Sequence, residues 1–471
     1  MNIKKIILRF APSPTGPLHI GNIKILLYNY ILYKKYKGKF YLRIDDTNIK
    51  KSKNIYIKYI FNTFKWLLNI NIKKSNIIVF KQSNRLNIYK KYINILLKNK
   101  YAYYAYDTKK EIKNIKKKYK YKKKIFNYNY KTRKLMNNTY NTKYKKKKKY
   151  VIRFNNIPNK NIKIYDLIYG KIIYKTNYID DIILFKSNGY PTYHFANVID
   201  DYKFNINCVI RGKEWLSTTI LHVLLYKAFK WKIPYFLHVS SLINPLNVKK
   251  KISKSNIIDK KIPILPIKFR KYLNFKKIGI LPLSIFNYIF NNSNNLLSFK
   301  KIIYFFNIKK IKKKNIIYNY NKLLFFNKLI IRNLNFNKLY RIFIFLLKKY
   351  KIISIFNYKN IYLKKILYLI KNRLFTYKDL LYESIFFFKK PKITFIKKNI
   401  KKKYFYIINN IIYLLKINKL KNIFIFKNII YIKILRFLIT GRKSGINLRI
   451  IFNNMSIINI KKRILYLKNF F

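Results

Sequence analysis

The stretch RFAPSPTGPLHIGN, Arg9–Asn22, decides how the rest of the chain is read. Three prolines and two glycines fall between Ala11 and Gly21, which makes this segment a shaped loop. Before it, Lys5–Phe10 (KIILRF) has the short apolar run of a buried strand. After it, Ile23, Leu26, Leu27, Tyr30 and Ile31 fall at helical spacing, and the pattern stops at Gly38, which predicts a glycine cap there. Lys39–Ile44 (KFYLRI) reads as a second strand running into Asp45 and Asp46. Strand, loop, helix, glycine, strand is a βαβ unit, and the loop after its first strand is where open α/β sheets bind ligands. A Pro-rich loop, a glycine and a helix N-terminus together suit a phosphate chain. His19, at the end of that loop, is placed to donate to a developing oxyanion.

Outward from this unit, a helix is expected around Ile55–Leu68 and a strand at Ile77–Phe80. Residues 101–190 are lysine-rich and less regular, with strand-like pieces at Tyr150–Phe154 and Ile182–Lys186, and read as an insertion. Residues 191–245 return to α/β character: strand Asn207–Arg211, helix Ser217–Phe229, strand Tyr235–Ser240. Lys250–Ser255 (KKISKS) follows; lysines flanking a serine on a loop can neutralise a pyrophosphate, though in a chain this rich in lysine the pattern counts only by its place after the resumed α/β half. Beyond about residue 260, apolar, Lys and Asn residues recur at helical spacing.

The length of 471 residues suggests about three domains. A net charge of +93 would draw a polyanion, but Lys, Asn, Ile, Tyr and Phe are the residues of A/T-rich codons, so runs such as Lys145–Lys149 read as solvated loops. One cysteine excludes a disulfide framework and a Cys-rich zinc site; Cys208 reads as a small buried residue. The longest uncharged stretch, Ile278–Phe299, is interrupted by Gly279, Pro282 and an Asn/Ser tract, which argues against a membrane span, and a motif starting at Arg9 argues against a secretory signal. The expected location is the cytoplasm. The rarest residues are the most informative. Carboxylates gather at Asp45–Asp46 and again at Asp166, Asp180, Asp181, Asp200, Asp201 and Glu214; all four histidines precede residue 240. The chemistry therefore belongs to the first half, with a basic binding body behind it.

Arg9–Asn22, Lys251–Ser255, Tyr41–Asn48 (YLRIDDTN), Pro191–Asp201 (PTYHFANVIDD) and Val209–Trp215 (VIRGKEW) together resemble the class I aminoacyl-tRNA synthetases, specifically the glutamyl-tRNA synthetase family. Ile278–Ile289, Lys322–Asn327 and Leu435–Leu448 resemble its later landmarks, so the likeness runs nearly end to end. It implies an α/β Rossmann-type class I synthetase catalytic domain with an α+β insertion, followed by a mainly α-helical C-terminal anticodon-binding region. The implied division is catalytic first half 1–100, acceptor-end-binding insertion 101–190, catalytic second half 191–245, stem-contact region 246–325 and anticodon-binding region 326–471.

The resemblance also implies a reaction: ATP-dependent activation of L-glutamate to glutamyl-adenylate, then transfer to tRNA(Glu). By the family's pattern His19 and Lys254 are catalytic. Pro12, His19, Gly21, Asn22, Glu214, Trp215, Lys251, Ser253 and Lys254 meet ATP, with magnesium arriving on the nucleotide. Arg9, Ser13, Asp45, Tyr193, Asn197 and Arg211 meet glutamate; arginine forks suit carboxylates. His194, His222 and His238 are left as structural. Asp45 stands where the family usually has Glu. Ala105 and Asp107 stand where some relatives carry zinc thiolates, so neither structural zinc nor any other protein-bound metal is expected. The implied partners are tRNA(Glu) and, in some relatives, tRNA(Gln); no membrane is involved, and a monomer is expected. The nearest alternative is glutaminyl-tRNA synthetase. More distant ones are a stand-alone nucleotidyltransferase, which leaves the helical tail without a use, and a non-catalytic RNA-binding relic.

Overall fold

In this computed structural model the described residues are 5–121, 126, 128, 149–156, 160–245, 247–252, 263–269, 273–352, 359–391, 405–416, 429–442 and 444–468. They form two compact units. The first is Met1–Phe275 with Ile289–Asn292 and Leu297–Tyr320; the second is Lys276–Tyr288 with Ser293–Leu296 and Asn321–Phe471. Among the described residues no helix is long and apolar enough to cross a membrane.

The first unit opens with β1 (Ile7–Phe10), α1 (Ile20–Lys35), β2 (Lys39–Ile44), α2 (Asn54–Leu68) and β3 (Ile78–Lys81). Then come α3 (Leu86–Lys98), β4 (Ala102–Ala105), α4 (Lys109–Tyr121) and β5 (Val151–Phe154), followed by β6 (Asn161–Asp166), β7 (Gly170–Lys175) and β8 (Ile183–Phe185). The α/β pattern resumes with α5 (Tyr193–Lys203), β9 (Cys208–Gly212), α6 (Thr219–Ala228) and β10 (Tyr235–Val239). A small sheet of β11 (Leu242–Asn244), β12 (Asn247–Lys251) and β13 (Ile316–Ile317) ends the series. The strands expected from the sequence form within a residue or two of the reading.

β1, β2 and β3 pair in parallel, and β9, β10 and β6 also pair in parallel, with β7 closing the second sheet as a hairpin partner of β6. Asn207 stitches the two sheets: its Oδ1 accepts the Ile7 amide at 2.8 Å and its Nδ2 donates to the Lys5 carbonyl at 2.7 Å. Burial on both faces explains the near-continuous apolar runs; Leu8, Leu42 and Leu237 have no exposed surface. Residues 101–190 serve two sheets. β4, β5 and β8 form their own antiparallel sheet, whereas β6 and β7 extend the parallel one. Sequence could not separate these roles, because the lysine-rich text between them has no distinguishing period.

Gly38 is not the helix cap that spacing predicts. α1 ends at Lys35 with Tyr36 as its cap, and Lys37 takes the left-handed conformation (φ 47°). Gly38 is needed for a different reason: a Cβ there would lie 2.0 Å from the Ile6 carbonyl oxygen, the acceptor for the Lys39 amide at 2.9 Å.

The second unit is helical, with helices at Asn321–Arg332 (the continuation of one starting at Tyr320), Phe336–Lys349, Asn360–Lys371, Tyr377–Phe388, Phe405–Lys416, Ile429–Thr440, Leu448–Asn454 and Ile457–Lys468. Leu339, Phe343 and Leu347 recur every fourth residue and pack with Leu363, Ile366 and Ile370 in one core. Asp379, among the few acids of this half, caps Tyr377–Phe388: its Oδ2 accepts the Thr376 amide at 2.8 Å.

Replacing Gly38 by alanine should push β2 off β1 and lower the urea midpoint of the first unit, at a cost of about 1–3 kcal/mol. An unchanged midpoint would show that the Ile6 contact is not a constraint.

Candidate active site

The carboxyl ends of the parallel strands converge on a buried layer of charge. Arg9 lies near the end of β1, Arg43 near the end of β2 with Asp45 just after it, and Arg211 near the end of β9; α5 supplies Asn197, Asp200 and Asp201. Arg43 is the hub, with 1% of its surface exposed. Its Nε meets Asp45 Oδ1 at 2.7 Å, its Nη1 meets Asp201 Oδ1 at 2.7 Å, and its Nη2 donates to Asn197 Oδ1 at 2.5 Å. Arg9 Nε shares the same Asp201 oxygen at 3.0 Å, and its Nη1 donates to the Ile210 carbonyl. Asp200 is held by Arg85, Gln82 and Tyr89.

Burial alone would raise the Asp201 carboxyl, but Arg9 and Arg43 hold it below its usual range. At Asp45 burial wins and pushes the carboxyl up to about 6, against the pull of Arg43. Arg211 differs from its neighbours. Among the described residues it has no carboxylate ion-pair partner; its Nε and Nη2 donate to His238 and Thr219, and Nη1 is buried with no close hydrogen bond, the Tyr193 side chain being a looser partner of the guanidinium. Asn197 Nδ2 is likewise buried and unbonded. With Gln82 Oε1 also unbonded, the layer keeps polar capacity that a ligand could use. Tyr193 stacks on Trp215 with ring centroids 4.9 Å apart.

A cavity of about 220 Å³ lies beside this layer, lined among others by His19, Gly21, Lys24, Glu214, Ser240 and Ile252. It joins the N-terminal turn to the second α/β half. His19 caps α1: its Nδ1 accepts the Gly21 amide at 3.1 Å, while Asn22 Oδ1 accepts the His19 amide at 3.2 Å. A neutral imidazole that accepts at Nδ1 carries its proton on Nε2, a donor at a positive helix end. A Cβ on Gly212 would sit 2.3 Å from Glu214 Oε2, so the glycine makes room for that carboxylate, which also accepts from Ser241 Oγ.

The site residues named from sequence therefore fall into two groups. Arg9, Asp45, Asn197 and Arg211 belong to the buried layer, with Tyr193 and Trp215 beside it. His19, Gly21, Asn22 and Glu214 line the cavity. Pro12 holds the end of β2 through its carbonyl, which accepts the Asp45 amide at 3.2 Å, and Ser13 adjoins it. Lys254 and Ser253 lie outside the described residues, as does the side chain of Lys251; Ile252, between them, lines the cavity.

Sequence reading missed Arg43, Lys24, Gln82 and the partnership of His238 with Arg211. Arg43 lay in the quoted YLRIDD stretch, and the clustering of scarce aspartates was its one available signal. Lys24 is buried on α1, its Nζ donating to the Ser240 carbonyl at 2.5 Å and to Ser240 Oγ at 3.0 Å. Burial pulls its ammonium down to about 8, with Glu214 opposing. His194 and His222 bond each other at 3.1 Å beside Tyr193. Cys208 is fully buried in β9, its thiol pushed up to about 12 by burial. Among the described residues no group of three or more His, Cys, Asp or Glu gathers as a metal site.

Arg43→Met should strand Asp45, leave Asp201 with Arg9 alone and cost about 3–5 kcal/mol in urea unfolding, with Arg43→Lys losing less. Equal stability of wild type and Arg43→Met would refute the hub role.

Comparison with known proteins identifies the family and the fold. The family described as tRNA synthetases class I (E and Q), catalytic domain, matches residues 5–325. A glutamate–tRNA ligase of Azobacteroides pseudotrichonymphae genomovar. CFP2 is 34% identical over 422 residues, spanning 84% of this chain and 82% of its own. One from Bacteroides thetaiotaomicron is 31% identical over 429 residues, spanning 85% and 82%. The crystal structure of a glutamate tRNA ligase from Elizabethkingia meningosepticum in complex with its amino acid superposes with a TM-score of 0.78 at 28% identity, covering 99% of both chains. With a family model over residues 5–325 and glutamate–tRNA ligases at 31–34% identity spanning more than four-fifths of both chains, the chain belongs to the glutamyl-tRNA synthetase family of class I.

Proposed function

We propose that the chain is a glutamate–tRNA ligase in which the buried arginine layer reads glutamate and the adjoining cavity takes MgATP. In the first step an oxygen of the substrate α-carboxylate attacks the α-phosphorus of ATP; glutamyl-adenylate forms and pyrophosphate leaves. In the second, a hydroxyl of the terminal ribose of tRNA(Glu) attacks the acyl carbon, and AMP leaves.

The observation that carries this reading is the unpaired Arg211 Nη1, with Asn197 Nδ2 also unbonded, in a layer where Arg9 and Arg43 already have Asp201 and Asp45. An uncompensated guanidinium suits a carboxylate better than an amide, which favours glutamate over glutamine. Arg9 keeps guanidinium N–H groups beyond its two bonds for a second carboxylate. Asp45 receives Arg43 tightly on Oδ1 but only at 3.5 Å on Oδ2, which leaves acceptor capacity for the substrate ammonium despite the shorter side chain. Ser13 and Tyr193 close the pocket, and Trp215 backs Tyr193.

In the cavity, His19 Nε2–H and the α1 N-terminus stabilise charge growing on the α-phosphate, with Pro12, Gly21 and Asn22 shaping the turn. Glu214 borders the nucleotide. Lys251, Ser253 and Lys254 meet the β- and γ-phosphates, and magnesium bridges them as part of the substrate.

Residues 101–190 take the acceptor end. A cavity of about 560 Å³ there is lined by Lys90, Lys149 and Lys186 with Tyr104 and Tyr150, whose rings meet edge-on 5.0 Å apart and stand about half exposed. Bases stack on such rings while lysines follow phosphate. Residues 246–325 meet the tRNA stem and the helical region 326–471 the anticodon.

ATP–pyrophosphate exchange with glutamate, with and without tRNA(Glu), tests the reading. Exchange supported by glutamine instead would overturn the amino-acid assignment, and charging of purified tRNA(Gln) would show the wider tRNA choice. His19→Ala should slow adenylate formation by roughly 10²–10³-fold with tRNA binding unchanged; a wild-type rate removes His19 from the mechanism. Since the carboxyl of Asp45 lies near 6 and only its ionised form attracts an ammonium, the KM for glutamate should rise as pH falls through 6. Asp45→Asn should raise that KM and flatten the acid limb; a limb that persists assigns it elsewhere.

A further inference from the structure

We propose that Asp166 and His238 are positioning residues for substrate carboxylate recognition: as a fixed hydrogen-bond chain they hold the Arg211 guanidinium so that Nη1 is left for the ligand. The proposal rests on the reading of the arginine layer as a carboxylate pocket, and it names the groups that orient the one arginine there without a counter-ion.

The three side chains come from neighbouring parallel strands. Pairing of β10 with β9 sets His238 opposite Arg211, and pairing of β10 with β6 sets Phe236 opposite Asp166. All three are buried: Asp166 is 4% exposed, His238 0% and Arg211 5%. The bond directions along Arg211, His238 and Asp166 are forced, while Thr219 Oγ1, 3.1 Å from His238 Nε2, can donate there or to the Trp215 carbonyl. Arginine Nε can only donate, so His238 Nε2, 3.0 Å away, accepts. A ring that accepts at Nε2 carries its proton on Nδ1, which then donates to Asp166 Oδ2 at 2.7 Å. Asp166 is itself clamped: Oδ1 accepts the amides of Ile168 and Tyr169, both at 2.9 Å, and Oδ2 also accepts the His238 amide at 3.1 Å. Thr219 Oγ1 accepts from Arg211 Nη2 at 2.9 Å.

The protonation states agree. Burial alone would raise the Asp166 carboxyl, yet the bonds from His238, Tyr169 and Ile168 hold it below the usual range. Burial lowers His238, and the Arg211 charge pushes the same way against the pull of Asp166. The ring therefore stays neutral at pH 7. A carboxylate placed directly on Arg211 would cancel the charge that the substrate needs; a neutral imidazole between them passes on orientation and leaves the guanidinium uncompensated.

Asp166→Asn tests the chain. The two amides on the Oδ1 side keep the carbonyl oxygen of the new side chain there, so its NH₂ faces His238 and drives the ring proton to Nε2, against the Arg211 Nε–H. The KM for glutamate in ATP–pyrophosphate exchange should rise about ten- to hundredfold, with the KM for ATP unchanged. His238→Leu should show a similar loss and His238→Gln, which can still accept from Arg211 and donate to Asp166, should recover most of it. In the full chain, ¹⁵N-labelled at its four histidines, the wild-type His238 ring should report a proton on Nδ1 and the Asp166→Asn ring a proton on Nε2. A wild-type proton on Nε2, or an unaltered glutamate KM in both Asp166→Asn and His238→Leu, overturns the proposal; if the variants do not fold, the wild-type tautomer decides alone. Arg211→Met separates the two levels. An unchanged glutamate KM there would refute the carboxylate pocket itself, whereas a raised one with Asp166→Asn and His238→Leu unaltered would refute only the positioning role.

Discussion

A guanidinium sealed from water, with aspartates from two different elements as its counter-ions, is what the rest of the structure depends on. Arg43 on β2 reaches Asp45 beside it and Asp201 on α5, far along the chain. Such a pair adds little net stability, because desolvation takes back most of the attraction. Its value is geometric. With one oxygen of Asp201 shared between Arg43 and Arg9, the first βαβ unit and the resumed α/β half can meet in one arrangement only. Any slip leaves a charge buried without a partner.

That constraint sets the chemistry around it. Once Asp201 and Asp45 are committed to Arg9 and Arg43, Arg211 is the cation left over, and the layer is pre-organised for a ligand carrying negative charge. The cavity is lined by the start of α1, after the loop that follows β1, and by the end of β9, where Gly212 leaves room for the Glu214 carboxylate. Activation of a carboxylate by a triphosphate asks for two anions held close together; in the reading proposed above, arginines on one side and a helix N-terminus on the other would meet that demand.

Much of this was legible before any coordinates. The prolines and glycines of Ala11–Gly21 announced a shaped loop, and the apolar spacing after it announced a helix; both formed. Gly38 was misread because a glycine ending a helical pattern is usually a cap, whereas here it yields to the Ile6 carbonyl from outside the helix. β6 and β7 were missed as part of the main sheet, since a strand's partner is a long-range choice that local composition does not carry. His194, His222 and His238 were read as structural; His238 proved to touch Arg211 because of a register between β9 and β10 that sequence spacing cannot reveal.

The sequence alone determined the order of elements in the two α/β halves, the family's landmarks and the set of residue types available for carboxylates and phosphates. Those follow from short-range physics, namely turn chemistry, helical period and the scarcity of acids in a chain of +93. Only the tertiary structure decided which arginine is paired and which stands open. Arg9, Arg43 and Arg211 carry the same charge in the sequence, and what distinguishes them is the neighbour each meets across strands brought together from distant parts of the chain, in an interior where an unpaired charge is costly and its placement is therefore strictly held.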